Sequence, residues 1–196
     1  MCKGIVNYYD DQEDNANEVV NVIKSKGGEA YTFYADVRNE NEIIKLVDFT
    51  FTKYGRIDYV INNAGIVYDK AWYEKEISEW DDTFKTNLYS HFLLIKYSKD
   101  YLIKSCGKVV NIGSTNATDR YSTFSMDYDA SKAAVMNLTK NMCKALAPNV
   151  NVNAILPGWV NTTMNDGLEH DFIKTETDKI ANVDELRQLD PQQRSE

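Results

Sequence analysis

Five short runs rich in β-branched and aromatic residues alternate with longer segments of helical periodicity. That alternation limits the fold more than any other feature of this sequence. The runs are 5–9, 30–35, 57–61, 108–112 and 151–156. Between them, residues 14–26 put Ala16, Val19, Val20 and Ile23 on one helical face and stop at Gly27-Gly28. Residues 39–54 do the same with Ile43, Ile44, Val47, Phe51 and Tyr54, and Gly55 follows as a C-cap. Helical regions are also predicted over 78–105 and 128–146, the second ending before Pro148. Strands separated by helices of this length need crossover connections. The predicted fold is therefore α/β, a three-layer Rossmann-like parallel sheet with helices on both faces.

The composition fits one globular domain, with 43% hydrophobic and 27% charged residues in 196. Residues 1–180 are read as that domain and 181–196 as a polar tail. The 30 Asp+Glu outnumber the 22 Lys+Arg, a net charge of −8 with no basic cluster. This argues against a nucleic-acid partner and against docking on an anionic membrane face. No apolar run approaches the roughly 20 residues of a membrane-spanning helix, and the first residues turn acidic too early for a signal peptide. The reading is a soluble, cytoplasmic protein. Cys2, Cys106 and Cys143 have neither disulfide-framework nor metal-site spacing and are read as small buried side chains. His91 and His170 have no second ligand at metal-site spacing, so no metal site is predicted. His91 is read as a packed or capped helix residue.

In open parallel sheets, ligands bind beyond the carboxyl ends of the strands. There the sequence places Asp36-Val37, Asn62-Asn63-Ala64-Gly65, Gly113-Ser114-Thr115 and Pro157-Gly158, all small or polar. Tyr128 and Lys132 are four apart and share a helical face. An ammonium near a phenol favours the phenolate, so the tyrosine pKa is predicted to fall below about 10, toward the range of a general acid–base. Ser114 is the candidate hydrogen-bond donor to a substrate carbonyl oxygen. A serine hydrolase is disfavoured: no G-x-S-x-G elbow surrounds Ser114, and His91 precedes it.

Asn62-Asn63-Ala64-Gly65, Asn87-Leu88, Gly113-Ser114, Tyr128-Asp129-Ala130-Ser131-Lys132 and Pro157-Gly158-Trp159-Val160-Asn161-Thr162 follow one another at suggestive spacing. In this the chain resembles the short-chain dehydrogenases/reductases over residues 4–175, nearest the branch of 3-oxoacyl-acyl-carrier-protein reductases and glucose-1-dehydrogenase-like enzymes. The resemblance implies hydride transfer between NADP or NAD and a small-molecule carbonyl or secondary alcohol. It implies a catalytic set of Asn87, Ser114, Tyr128 and Lys132. Tyr128 would supply the proton, Ser114 would hold the oxygen, and Lys132 would tune the phenol and bond the nicotinamide ribose. Asn87 would bend its helix and hold a relay water. The implied cofactor-binding residues are Asp36 and Val37 beside the adenine, Asn63, Ala64 and Gly65 at the ribose, Tyr128 and Lys132, and Pro157, Gly158, Val160 and Thr162 near the nicotinamide. Asn7-Tyr8-Tyr9 offers no acidic residue after the first strand, which leans toward NADP. Trp159, Met164, Leu168 and Phe172 follow the Pro157-Gly158 turn as a sparse apolar set. They form a lid over the substrate by the resemblance, or a short amphipathic helix covering the sheet edge. Tyr121, Phe124 and Met126 either line the substrate pocket or simply pack. A homo-oligomer, dimer or tetramer, is implied, with helices 78–105 and 128–146 at one interface.

The chain also departs from that family. Its glycines stand at 4, 27, 28, 55, 65, 107, 113, 158 and 167, without the TGxxxGxG turn that cradles a pyrophosphate. The sequence aligns from the family's second strand onward, and its end does not resemble the last strand. The expectations are an incomplete sheet, in which residues 5–9 and 57–61 either pair directly or leave open edges, and weak cofactor binding. Two explanations stand: a fragment of a complete enzyme, or a catalytically inactive short relative acting as a binding or assembly partner.

Overall fold

The computed structural model describes residues 2–118 and 122–160. Five strands alternate with five α-helices: β1 (Lys3–Tyr8), α1 (Glu13–Ser25), β2 (Glu29–Tyr34), α2 (Glu40–Tyr54), β3 (Tyr59–Asn62), α3 (Ile77–Phe84), α4 (Ser90–Ser105), β4 (Lys108–Ile112), α5 (Met126–Leu146) and β5 (Asn151–Ile155). Every strand pairing is parallel. Capping explains the boundaries of α2: the Asn39 side chain accepts from the Asn41 N–H at the start, and Gly55 takes φ 70° at the end. Residues 78–105 do not form one regular helix. A π-helical turn, Lys85–Tyr89, separates α3 from α4.

The strands form two sheets, β1-β2 and β3-β4-β5. Of the two alternatives for the incomplete sheet, the second holds among the described residues: β1 and β3 do not pair, and each keeps one edge without a strand partner. Pairing β1 with β2 satisfies only one side of β1, and β4 does the same for β3.

Alternation along the strands puts Val60 and Asn62, Val109 and Asn111, and Val152 on one face. There α4 and α5 cover them, and Val47, Ile57, Ile95, Leu102, Leu146 and Val150 complete the apolar cluster. Tyr59, Ile61 and Ile155 point the other way and are exposed. In α1 the buried residues are Ala16 and Val20, whereas Val19 is exposed. The cysteines depart from the sequence reading. All three are free and exposed, because Cys106 is the α4 C-cap, with φ 52°, and Cys2 and Cys143 also lie at surface positions. Among the described residues no helix is long and apolar enough to cross a membrane, and no group of His, Cys, Asp and Glu is placed to hold a metal ion.

The chain divides into a unit of Met1–Leu156 and a second of Pro157–Glu196. The tail 181–196 and the lid residues Met164, Leu168 and Phe172 lie outside the described residues, as does Tyr121.

Where α4 hands over to β4, Gly107 is pressed between the Asp58 backbone and the Leu102 side chain. A Cβ there would lie 2.7 Å from the Asp58 carbonyl oxygen and 2.7 Å from a Leu102 methyl. Gly107→Ala is expected to lower the unfolding free energy by about 1–3 kcal/mol. Gly4→Ala, whose Cβ meets nothing within 4 Å, is expected to stay within about 0.5 kcal/mol. Urea titration of both variants checks the difference.

Candidate active site

Four segments of the first unit meet at the carboxyl ends of β3 and β4. After β3 the chain turns through Asn63, Ala64 and Gly65, and the π-helical turn brings Asn87 against it. Asn87 is fully buried. Its Oδ1 accepts from the Ile66 N–H at 2.8 Å, and its Nδ2 donates to the Ile66 carbonyl and the Ser131 hydroxyl, both at 3.0 Å. One amide thus ties the end of β3 to α5 and satisfies three polar groups, the Ser131 hydroxyl among them fully buried. Gly65 is close to the same groups: a Cβ on it would lie 3.5 Å from both Asn87 Oδ1 and Lys132 Nζ.

From β4 comes Ser114, nearly buried, and from the first turns of α5 come Tyr128 and Lys132. Lys132 is 3% exposed and donates from Nζ to the Ile112 carbonyl at 2.8 Å. Nζ also lies 5.5 Å from the centroid of the Tyr128 ring. Burial disfavours the ammonium and lowers the lysine pKa to about 8.

The Tyr128 phenol behaves differently from the sequence expectation. Its pKa is raised, chiefly by burial and also by the Asp129 charge, while Ser114 opposes the rise. Burial outweighs the influence of the nearby Lys132 amine, which donates to the Ile112 carbonyl. Thus Ser114, Tyr128, Lys132, Asn87 and Gly65 form one group, with Asn63 and Ala64 on the adjoining turn.

Asp36 and Val37 follow β2 and bond elsewhere. The Asp36 carboxylate accepts from the Arg38 guanidinium at 2.9 to 3.1 Å, which with the Arg38 backbone N–H holds its carboxyl below the usual range despite burial. Arg38 also donates to the Tyr9 hydroxyl at 2.9 Å and reaches Asp82 at 3.5 Å. Pro157, Gly158 and Val160 belong to the second unit, whose described residues form no helix or strand. Thr162 lies outside the described residues.

Beneath this group runs a polar layer that sequence reasoning missed. Asn62 Nδ2 donates to Asn111 Oδ1 at 2.7 Å, and Asn111 Nδ2 to the Thr139 hydroxyl at 2.9 Å. All three are buried. The available signal was strand parity, which puts Asn62 on the face of Val60 and Asn111 on the face of Val109. His91, one helical turn beyond Asn87, is packed but not capped. It is 1% exposed, and its ring lies near the Ala64 backbone without meeting the geometry of a hydrogen bond there. Burial above all, and then the nearby Lys132 charge, lowers its pKa to about 3, with the Ala64 backbone opposing.

The sequence matches the family model described as short chain dehydrogenase over residues 3–172. It is 36% identical over 168 residues to a 3-oxoacyl-[acyl-carrier-protein] reductase of Synechocystis sp., covering 85% of this chain and 67% of that protein. Against a 3-oxoacyl-[acyl-carrier-protein] reductase of Staphylococcus epidermidis the identity is 32%, covering 84% and 68%. Among solved structures, a dehydrogenase/reductase from Sinorhizobium meliloti 1021 superimposes with a TM-score of 0.84 at 29% identity, over 90% of this chain and 69% of that one. A gluconate 5-dehydrogenase from Burkholderia cenocepacia J2315, solved with NADP and tartrate, gives a TM-score of 0.76 at 27% identity, over 86% and 66%.

The His91 shift has a measurable consequence. The ring titrates near 3 when folded and near 6.5 when unfolded, so the unfolded chain binds more protons between those values. This contribution to stability is fully present above pH 6.5 and is lost as pH falls toward 3. In urea titrations across that window, His91→Leu is expected to flatten the decline.

Proposed function

This chain belongs to the short-chain dehydrogenase family, and from that premise we propose that it interconverts a small-molecule carbonyl and a secondary alcohol with a nicotinamide cofactor. One observation carries the reading: the buried Lys132 amine stands 5.5 Å from the centroid of the Tyr128 ring, at the strand ends where Ser114 is also buried.

The donor set suits the nicotinamide ribose. An ammonium has three donors, and Lys132 spends one on the Ile112 carbonyl, leaving others for a ribose hydroxyl on the Gly65 side. The nicotinamide supplies or accepts the hydride when bound. Ser114 donates to the substrate carbonyl oxygen and aligns it with the phenol. Tyr128, whose phenol burial holds in the protonated form, transfers its proton to that oxygen, completing the alcohol. Lys132, near pKa 8, returns a proton to the phenolate. Asn87 keeps the end of β3 and α5 in register and belongs to the site in that capacity.

Within the same proposal, Asp36 and Val37 flank the adenine, and Asn63, Ala64 and Gly65 line the ribose. Pro157, Gly158, Val160 and Thr162 serve the nicotinamide amide. The lack of an acidic residue in Asn7-Tyr8-Tyr9 and the NADP in the gluconate 5-dehydrogenase favour NADP over NAD. An oligomer through α4 is part of the proposal, since that helix exposes Phe92 and Ile103.

A second reading, a binding partner without catalysis, is favoured by the lack of a glycine-rich turn among the nine glycines. NADPH-dependent reduction of ketones, with NADPH affinity followed by fluorescence, separates the two. Tyr128→Phe is expected to lower turnover by about 10²–10⁴-fold while NADPH affinity changes less than twofold. Unaltered turnover excludes Tyr128 as the acid, and failure to bind NADPH at millimolar concentration leaves the second reading.

A further inference from the structure

An ion pair buried out of reach of water stands one residue before Tyr128. Lys75 Nζ lies 2.5 Å from Asp127 Oδ1, and the two side chains are 1% and 0% exposed. The other carboxylate oxygen accepts from the Thr83 hydroxyl at 2.7 Å, and Lys75 also donates to the Tyr68 carbonyl at 2.5 Å. Three pieces of chain are therefore fastened at one point: the segment between β3 and α3, through Tyr68 and Lys75; α3, through Thr83; and the first turn of α5, through Asp127. A backbone bond from Lys70 N–H to the Phe124 carbonyl at 3.0 Å runs beside it.

Removing two charges from water is unfavourable, and an apolar pair of similar volume commonly serves stability as well or better. Stability alone therefore gives no reason for this pair. Position does. Asp127 and Tyr128 are consecutive in a helix, so their side chains point about 100° apart. With the Asp127 carboxylate held on two sides, rotating or sliding the first turn of α5 would break both bonds, and Tyr128 leaves that turn at a fixed angle from Asp127. At its other end the same segment is held by Asn87 through both backbone groups of Ile66.

We propose that Lys75 and Asp127 are positioning residues: their buried ion pair aims the Tyr128 phenol and fixes the 66–76 segment as a wall of the substrate site. The catalytic part of this rests on the reading of Tyr128 as the proton donor.

The test uses the full chain with tyrosine labelled at 13Cζ, the Tyr128 resonance being assigned by its loss in Tyr128→Phe. It compares Lys75→Met, Asp127→Asn and the double variant K75M/D127N for thermal stability, NADPH affinity, kcat and KM for ketone reduction, and the Tyr128 resonance. Each single variant strands a buried charge and is expected to lose stability. The double variant removes both charges of the pair, leaving Asp69 without its nearby cation, and is expected to regain most of the stability. If the pair positions Tyr128, the folded double variant still shows a displaced Tyr128 resonance and a kcat reduced about 10-fold or more, with NADPH affinity within twofold. Recovery of kcat together with stability overturns the proposal, as does a Tyr128 resonance left at its original position. The resonance is read without cofactor or substrate, so it decides the positioning claim even if the chain turns over no ketone, an outcome that would instead defeat the catalytic reading.

Discussion

The arrangement at the strand ends is organised around one nitrogen. Lys132 is withdrawn from water on the inner face of α5, and a buried amine in an apolar surrounding would be strongly unfavourable. The Ile112 carbonyl at the end of β4 accepts from it, which fixes the height of α5 on the sheet. That height places Ser131 within reach of Asn87, and Asn87 in turn fixes Ile66. The turn at Gly65 can then run close to both. The helix, the sheet and the turn after β3 thus take their mutual positions from how a single donor is kept satisfied.

The interior changes character along the strands. Toward their starts, Ile57, Leu102, Leu146 and Val150 make an apolar core. Toward their ends, the same layer is filled by Asn62, Asn87, His91, Asn111, Ser131 and Thr139. The apolar end is held by non-directional burial and tolerates adjustment. The polar end is held by oriented bonds that permit few alternatives. Ser114, Tyr128 and Lys132 sit at the end where geometry is dictated rather than averaged.

Much of this was legible in the sequence, for physical reasons. Strand and helix periods are local, so the five strands and the α2 ending at Gly55 could be read directly. The Tyr128–Lys132 pairing follows from helical spacing alone. What escaped depends on long-range contacts. The direction of the Tyr128 shift depends on burial by distant segments, and spacing gave the wrong sign. The division into two sheets depends on which strands find neighbours. The exposure of Cys106 and Cys143 is set by helix position, not by the apolar character of a thiol. The Lys75–Asp127 pair joins residues 52 apart, and neither side alone looks different from a surface charge. Thr162 and the lid residues beyond it lie outside the described residues.

The π-helical turn at Lys85–Tyr89 has a bearing on how α3 and α4 came to do different work. Such a turn accommodates one residue more than an α-helical turn of the same span, so the apolar stripes before and after it are out of phase by a single step. α3 can direct Thr83 at the start of α5 while α4 directs Ile95 and Leu102 at the sheet, although a continuous helix would have forced one stripe to serve both. The irregularity works as a phase shifter: one supernumerary residue uncouples two faces, and the widened coil is where Asn87 finds room to turn inward.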